Sequence, residues 1–421
     1  MRRSLSRHRF ERIGLSIGIV LAIFIIVAVI NVVRQSDQGP MEPTPEPTTE
    51  PTTAPATPAT PATPKITFDP EPEPEPGSLL HMLGYAPDRL QDDSLPLSDI
   101  ARYANIQHWM DAQGVEIPEG PDDPNWDEWQ QQLPALAIPE VLSTRGTDSV
   151  WINTYGFGLH QVHQVLAVGS PPDYVLVMRG DFDEDTLVAS WAENGYQAVR
   201  VDGVTYWSLY PGGSVDLSAP ASRPALGNMN NIVLLEDGTL IATSRADRLE
   251  QTIRDINAEN STMAENGDIR TLLASGIEPE NLVTATLLKG TVLEELSVPS
   301  PETTITTPVA ELPQAQLLLT GLHIQPGKEQ RTTMVVVAVY DSAADATAAH
   351  NRARNILTSG TSSVTGTPHS NRVHPLAMRV VSSGDGQQLL LLHLTLLNGP
   401  RDWLQIIEDR DLGYLMWPRV P

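Results

Sequence analysis

The chain has 421 residues, with 27 Lys and Arg against 52 Asp and Glu, a net charge of -25, 36 prolines and no cysteine. Without a thiol there is no disulfide framework, no cysteine nucleophile, no thiolate metal site and no lipid-modified N-terminal cysteine. The acidic surplus argues against a nucleic-acid partner, because neutralising phosphates takes a basic stripe.

Charge sets the N-terminus apart. Residues 1–34 hold six arginines and one glutamate, a local +5, which leaves -30 on the remainder. Inside that basic end, the 21 residues from Ile13 to Val33 carry no charge, and about 20 apolar residues span a ~30 Å hydrocarbon core as a helix. A cleaved signal peptide would have an apolar stretch of about 7–15 residues ending in small side chains, whereas this one ends Ile30-Asn31-Val32-Val33. The expectation is a signal-anchor helix over 13–33. Five arginines precede it and one follows, which places residues 1–12 in the cytoplasm and everything after the span outside the cell membrane, on a single-pass protein.

Residues 34–78 contain 13 prolines, including the run from Pro55 to Pro64 and the Glu-Pro alternation up to Pro76. Proline fixes φ and removes a donor, and little here is apolar, so the segment reads as a disordered, extended tether.

The remainder predicts an α+β fold of mostly antiparallel sheets with packed helices. A helical region over 79–172 comes first. Within it, Ser98-Asp99 caps a helix that carries Ile100, Tyr103, Ile106 and Met110 and ends at Gly114. Asn125 caps a short helix with Trp126, Trp129 and Leu133 on one side, and Gly156 to Val168 forms another through Leu159, Val162 and Leu166. A first α+β half over 173–296 then opens with strand Tyr174 to Met178, and Asp183 caps a helix ended by Gly195. Hairpins turn at Asp202-Gly203 and Glu236-Asp237-Gly238, helices cover Ala246 to Ile256 and Ile269 to Ala274, and a strand runs Leu282 to Leu288. After a linker or long loop over 297–314, a second half over 315–421 holds strands Gln316 to Ile324 and Thr332 to Tyr340 and a helix Ser342 to Thr358. It closes with the hairpin Val373 to Val381 and Gln387 to Leu396 and a helix near Asp402 to Glu408. Strand-helix order recurs, so the sequence raises two similar halves as an expectation, although only Met178-Arg-Gly180 and Leu288-Lys-Gly290 align. The unalternating Leu389 to Leu392 implies a strand buried on both faces.

Chemistry-bearing motifs are few. Asp181-Phe-Asp-Glu-Asp185 begins like a calcium loop, but Thr186 stands where glycine is required and Ala192 where the bidentate glutamate belongs, so helix capping by Asp183 explains it better. His160 and His163 share a spacing suited to one metal without further ligands, and His369 and His374 form a second loose pair. Arg179-Gly-Asp181 abuts a buried strand. Gly-x-Ser-x-Gly, Ser-x-x-Lys, HExxH and a phosphate loop are absent. No catalytic residue, metal or cofactor is expected. Eight tryptophans beside five phenylalanines point instead to aromatic platforms, with Trp126, Trp129, Tyr206, Trp207 and Tyr210 as candidate ligand-binding residues. The expected function is that of a bacterial envelope protein, anchored in the membrane, that binds a ligand or partner (an envelope protein or glycan) without catalysis. The alternatives are an extracytoplasmic hydrolase of envelope glycan or peptide, and a structural spacer or assembly factor.

Overall fold

The computed structural model describes residues 74–88, 101–169, 175–210, 219–258, 262–274, 277, 279–289, 315–325, 331–362, 365–383 and 386–408. All belong to one compact unit, Glu71–Pro421. The expected signal-anchor, the tether up to residue 73, the Ser98-Asp99 cap, most of the loop after Tyr210 and the linker 297–314 lie outside the described residues.

The chain opens with helix α1 (Leu79–Leu83) and strand β1 (Ala101–Asn105), followed by helices α2 (Ile106–Gln113), α3 (Trp126–Gln132), α4 (Glu140–Arg145) and α5 (Ser149–Tyr155). Strands β2 (Val162–Val168) and β3 (Val175–Gly180) lead to α6 (Glu184–Glu193). The hairpins β4–β5 (Gln197–Val201, Val204–Ser208) and β6–β7 (Asn231–Leu234, Leu240–Thr243) precede α7 (Ala246–Ala258) and α8 (Gly267–Leu273). Strands β8 (Leu282–Lys289), β9 (Leu317–Gln325) and β10 (Arg331–Tyr340) lead to α9 (Ala343–Ser359), hairpin β11–β12 (Val373–Ser382, Gln388–Leu396) and α10 (Arg401–Glu408).

All twelve strands join one antiparallel sheet in the order β11-β12-β10-β9-β8-β1-β2-β3-β7-β6-β5-β4. Next to its centre lies the antiparallel pair β1–β8, in which Tyr103 faces Ala285 and Arg102 faces Thr286. Outward from that pair the order is β1-β2-β3-β7-β6-β5-β4 on one side and β8-β9-β10-β12-β11 on the other, so that the first five strands of the longer arm match the shorter one in connection. In each arm a helix, α6 or α9, follows the third strand, and a later hairpin returns to pair with that same strand.

Helices cover both faces. Face A carries α2 to α6, α9 and α10 and gathers Trp109, Trp129, Trp151, Trp191 and Trp403, all at most 1% exposed. Face B carries α1, α7 and α8 through Leu79, Met82, Leu249, Ile253, Ile269 and Leu272. The Leu389 to Leu392 run serves both layers, Leu390 and Leu392 on face A and Leu389 and Leu391 on face B.

Local chemistry sets the boundaries. Asp183 accepts the Thr186 N–H at 2.9 Å, Asn105 that of His108 at 3.0 Å and Ser342 that of Asp345 at 3.1 Å, each at a helix start. Asp202 and Gly203 take φ of 46° and 86°, the paired left-handed conformation of a tight hairpin. At Gly180 a Cβ would lie 1.9 Å from the Gln161 carbonyl, and at Gly321 2.2 Å from that of Thr284; glycine is there to let neighbouring backbone approach.

Two expectations are corrected. The helix foreseen from Ser98 to Gly114 is helical only from Ile106, because Ala101–Asn105 is hydrogen-bonded to β2 and β8 on its two sides, a ladder that a helix cannot supply. The helix foreseen from Gly156 to Val168 is a 3-10 turn followed by β2: Gly156 ends α5 at φ 81°, and Val162, Val165 and Val168 are β-branched residues that suit a strand. Three helices, α1, α4 and α5, were not foreseen, and the remaining elements fall within a few residues of their expected positions.

Two-faced burial has a direct mutational signature. Leu390→Ala and Leu391→Ala should each cost about 2–5 kcal/mol by chemical denaturation. Leu376→Ala, at a side chain 51% exposed on β11, should stay within about 0.5 kcal/mol of the parent.

Candidate functional site: a cleft over the centre of the sheet

The site begins with β1. Alternation along that strand puts Ala101 and Tyr103 into the core of face B and turns Arg102 toward face A, where it lies across from Ala167 of β2 and Thr286 of β8. A guanidinium thus sits half-buried on a central strand of a twelve-stranded sheet.

Above it, the chain between α3 and α5 crosses the sheet. Thr284 of β8 fixes the crossing: its hydroxyl accepts the Ala137 N–H at 2.9 Å and donates to the Tyr103 carbonyl at 2.8 Å. From the other arm, α10 closes the side. Its Trp403 indole donates to Thr320 at 3.1 Å, and Arg401 donates to the Gln131 carbonyl. Between these layers is a partly open cleft of about 570 Å³.

Its floor and rim differ in chemistry. Leu133, Leu136, Ile138 and Leu404 give apolar walls, Gln130, Ser143 and Thr147 give polar groups, and the ionic groups are Arg102 and the exposed Glu140 at the first position of α4. Among the described residues no carboxylate lies within 4.0 Å of the Arg102 guanidinium, and it makes no hydrogen bond there. By contrast, Arg179 reaches Asp237 at 3.3 Å and Arg254 reaches Glu250 at 3.1 Å.

The aromatic candidates form no single platform. Trp129 is fully buried in the face-A core, with the partly exposed Trp126 5.1 Å away between ring centres and His160 5.7 Å beyond Trp126. Tyr206 and Trp207 alternate across β5. The Tyr206 hydroxyl donates to Glu250 at 2.8 Å on face B, while Trp207 packs 6.2 Å from Trp191 on face A. Tyr210 accepts the Ala219 N–H at 3.1 Å. None of the five lines the cleft. Five of the eight tryptophans fill the face-A core.

The ionisable motifs are spoken for locally. Asp183 caps α6, and Asp181 pairs with His163 at 3.2 Å. Among the described residues no three His, Asp or Glu side chains come together as a metal site, and no helix is long and apolar enough to cross a membrane. Arg102 lies in a segment whose spacing predicts a helix, which hides its place on strand β1. The signal for it is a single charge within a short segment that is buried on both faces once the segment is read as a strand.

No match to the chain was found among protein-family models, curated proteins or solved structures.

Three partly buried histidines shape the pH response. Burial pushes His81, His160 and His393 below the usual imidazole value of 6.5, helped by the Arg179 charge at His81 and by Arg379 at His393. The neutral His81 Nδ1 accepts the Gly77 N–H at 3.2 Å. A base whose pKa is depressed on folding binds its proton more readily when unfolded, so stability is complete above 6.5 and declines as pH falls below it toward the depressed values. Thermal unfolding should show a flat midpoint down to that pH and a fall beneath it, with a shallower fall in His393→Gln.

Proposed function

We propose that the chain is a single-pass membrane protein whose ectodomain, held outside the cell on the proline-rich tether, binds a ligand without turning it over. The uncharged stretch from Ile13 to Val33 and the arginines ahead of it support the anchoring. The observation that carries the binding reading is the cleft over β1 and β8: its volume falls in the ~300–1,000 Å³ range of ligand pockets, and its floor holds a cation that has no ion pair or hydrogen bond among the described residues. Its ionic groups among the described residues, Arg102 and Glu140, carry opposite charges, which suits the holding of a charged ligand. The repeated strand order of the two arms supports a further reading, that the sheet grew by duplication of one unit and that the cleft lies over the seam.

Protease added to intact cells should shave off the ectodomain and leave a short fragment that alkaline washing does not extract; a chain protected until lysis would sink the extracytoplasmic reading. For binding, the full chain in detergent micelles should unfold at higher temperature with one class of envelope glycan or peptide. A ligand at 100 times its Kd adds about 2.7 kcal/mol. Release of cleaved product from that ligand would replace the binding reading with a hydrolytic one.

A further inference from the structure

We infer that the cleft takes a zwitterionic ligand of amino-acid or short-peptide type, with its carboxylate on Arg102 at the floor and its ammonium at Glu140 on the rim. The inference rests on the reading of this cleft as a ligand site.

The first step is the cost of the arginine. A guanidinium on a central strand gives up part of its hydration, and proteins hold such charges with a partner. Arg145, Arg179, Arg245, Arg254 and Arg270 each have a carboxylate within 3.5 Å. Among the described residues the Arg102 side chain has neither an ion pair nor a hydrogen bond, and its register partner on β2 is the apolar Ala167. A residue that breaks the local packing rule without compensation inside the protein is the pattern of a binding group.

The second step is the pairing of opposite charges in one cleft. Arg102 and Glu140 both line it, yet they lie too far apart for an ion pair. A bare anion would satisfy Arg102 and then face the Glu140 carboxylate; a bare cation would meet the converse. A molecule that carries both charges satisfies both. The planar guanidinium fork matches a carboxylate in two-point geometry, and Leu133, Leu136, Ile138 and Leu404 supply apolar wall for a side chain.

Titration calorimetry of the full chain in detergent micelles, with alanyl-alanine as probe, tests this. Arg102→Gln should weaken binding roughly 10- to 100-fold, and alanyl-alaninamide, which lacks the carboxylate, should bind the parent as poorly. Glu140→Gln should weaken alanyl-alanine but leave N-acetyl-alanyl-alanine unchanged, since that probe has no ammonium to lose. The thermal midpoint of Arg102→Gln should equal or exceed the parent's, which separates lost recognition from lost folding. Unchanged affinity in a folded Arg102→Gln protein overturns the inference, as does inorganic phosphate displacing alanyl-alanine with equal affinity, which would make this a bare anion site. Absence of binding by all four probes at millimolar concentration also overturns it, while surface shaving and a thermal shift by a glycan would still uphold the extracytoplasmic binding reading.

Discussion

Covering a twelve-stranded sheet with helices on both faces shields most of its inner side chains from water, and the rest of the structure answers to that constraint. Strands β8, β9, β10 and β12 are therefore apolar on both alternating sets of side chains, as Leu389 to Leu392 illustrate. A polar side chain there must find a partner or be costly. Thr284 and Thr320 meet the requirement by bonding the covering layer, to Ala137 and Trp403 respectively. They turn a penalty into two attachment points. Among the described residues the half-buried Arg102 side chain has no such partner, and it faces the partly open cleft instead.

The position of the cleft follows from topology. Because β1 and β8 pair antiparallel inside the sheet, each arm presents its first strand to the other, and the two arms meet at that seam. The long excursion between β1 and β2, which contains α2 to α5, belongs to one arm; α10 is the end of the other. They meet beside the cleft through Arg401 and the Gln131 carbonyl, and Leu404 of α10 joins the lining. A surface built from both arms needs the whole sheet in register before it exists.

Much of this was legible in the residues. Hairpin turns at Asp202-Gly203 and after Leu235, caps at Asp183 and Ser342, and the doubly buried leucine run of β12 are signals that act over a few residues, and local sequence contains them. Failure came where tertiary pairing overrides a local pattern. Leu159, Val162 and Leu166 fit helical spacing as well as they fit a short turn followed by a strand, and only the ladders to β1 and β3 decide between the two. Likewise Tyr103 and Ile106 are one helical turn apart in sequence but lie on opposite faces of the sheet. Composition alone does not separate a binding platform from core filling, and five of the eight tryptophans fill the space beneath the seven helices of face A. The cleft itself was invisible because its members come from β1, the excursion after α3 and α10, far apart in the chain.

One strand joins these properties. The chain arriving from the N-terminal side is fixed beneath β1 on face B: the Tyr103 hydroxyl donates to the Gly77 carbonyl at 2.6 Å, and Gly77, at φ 82°, lies so near Gln164 of β2 that a Cβ would come within 2.8 Å of it. Ser78 then caps α1, and Tyr85 just past the helix bonds Asp237 at the β6–β7 turn. Burial pushes Asp237 upward, but the Tyr85 hydroxyl, Thr239 and Arg179 outweigh it and hold that carboxyl below its usual range, so the contact stays charged near neutral pH. In the proposed arrangement, load on the tether reaches the sheet at Tyr103, the neighbour of Arg102 on the opposite face. A central strand paired on both sides resists such load better than an edge strand, since its backbone bonds on both flanks must yield together. In that arrangement attachment and cleft share one strand of the sheet interior.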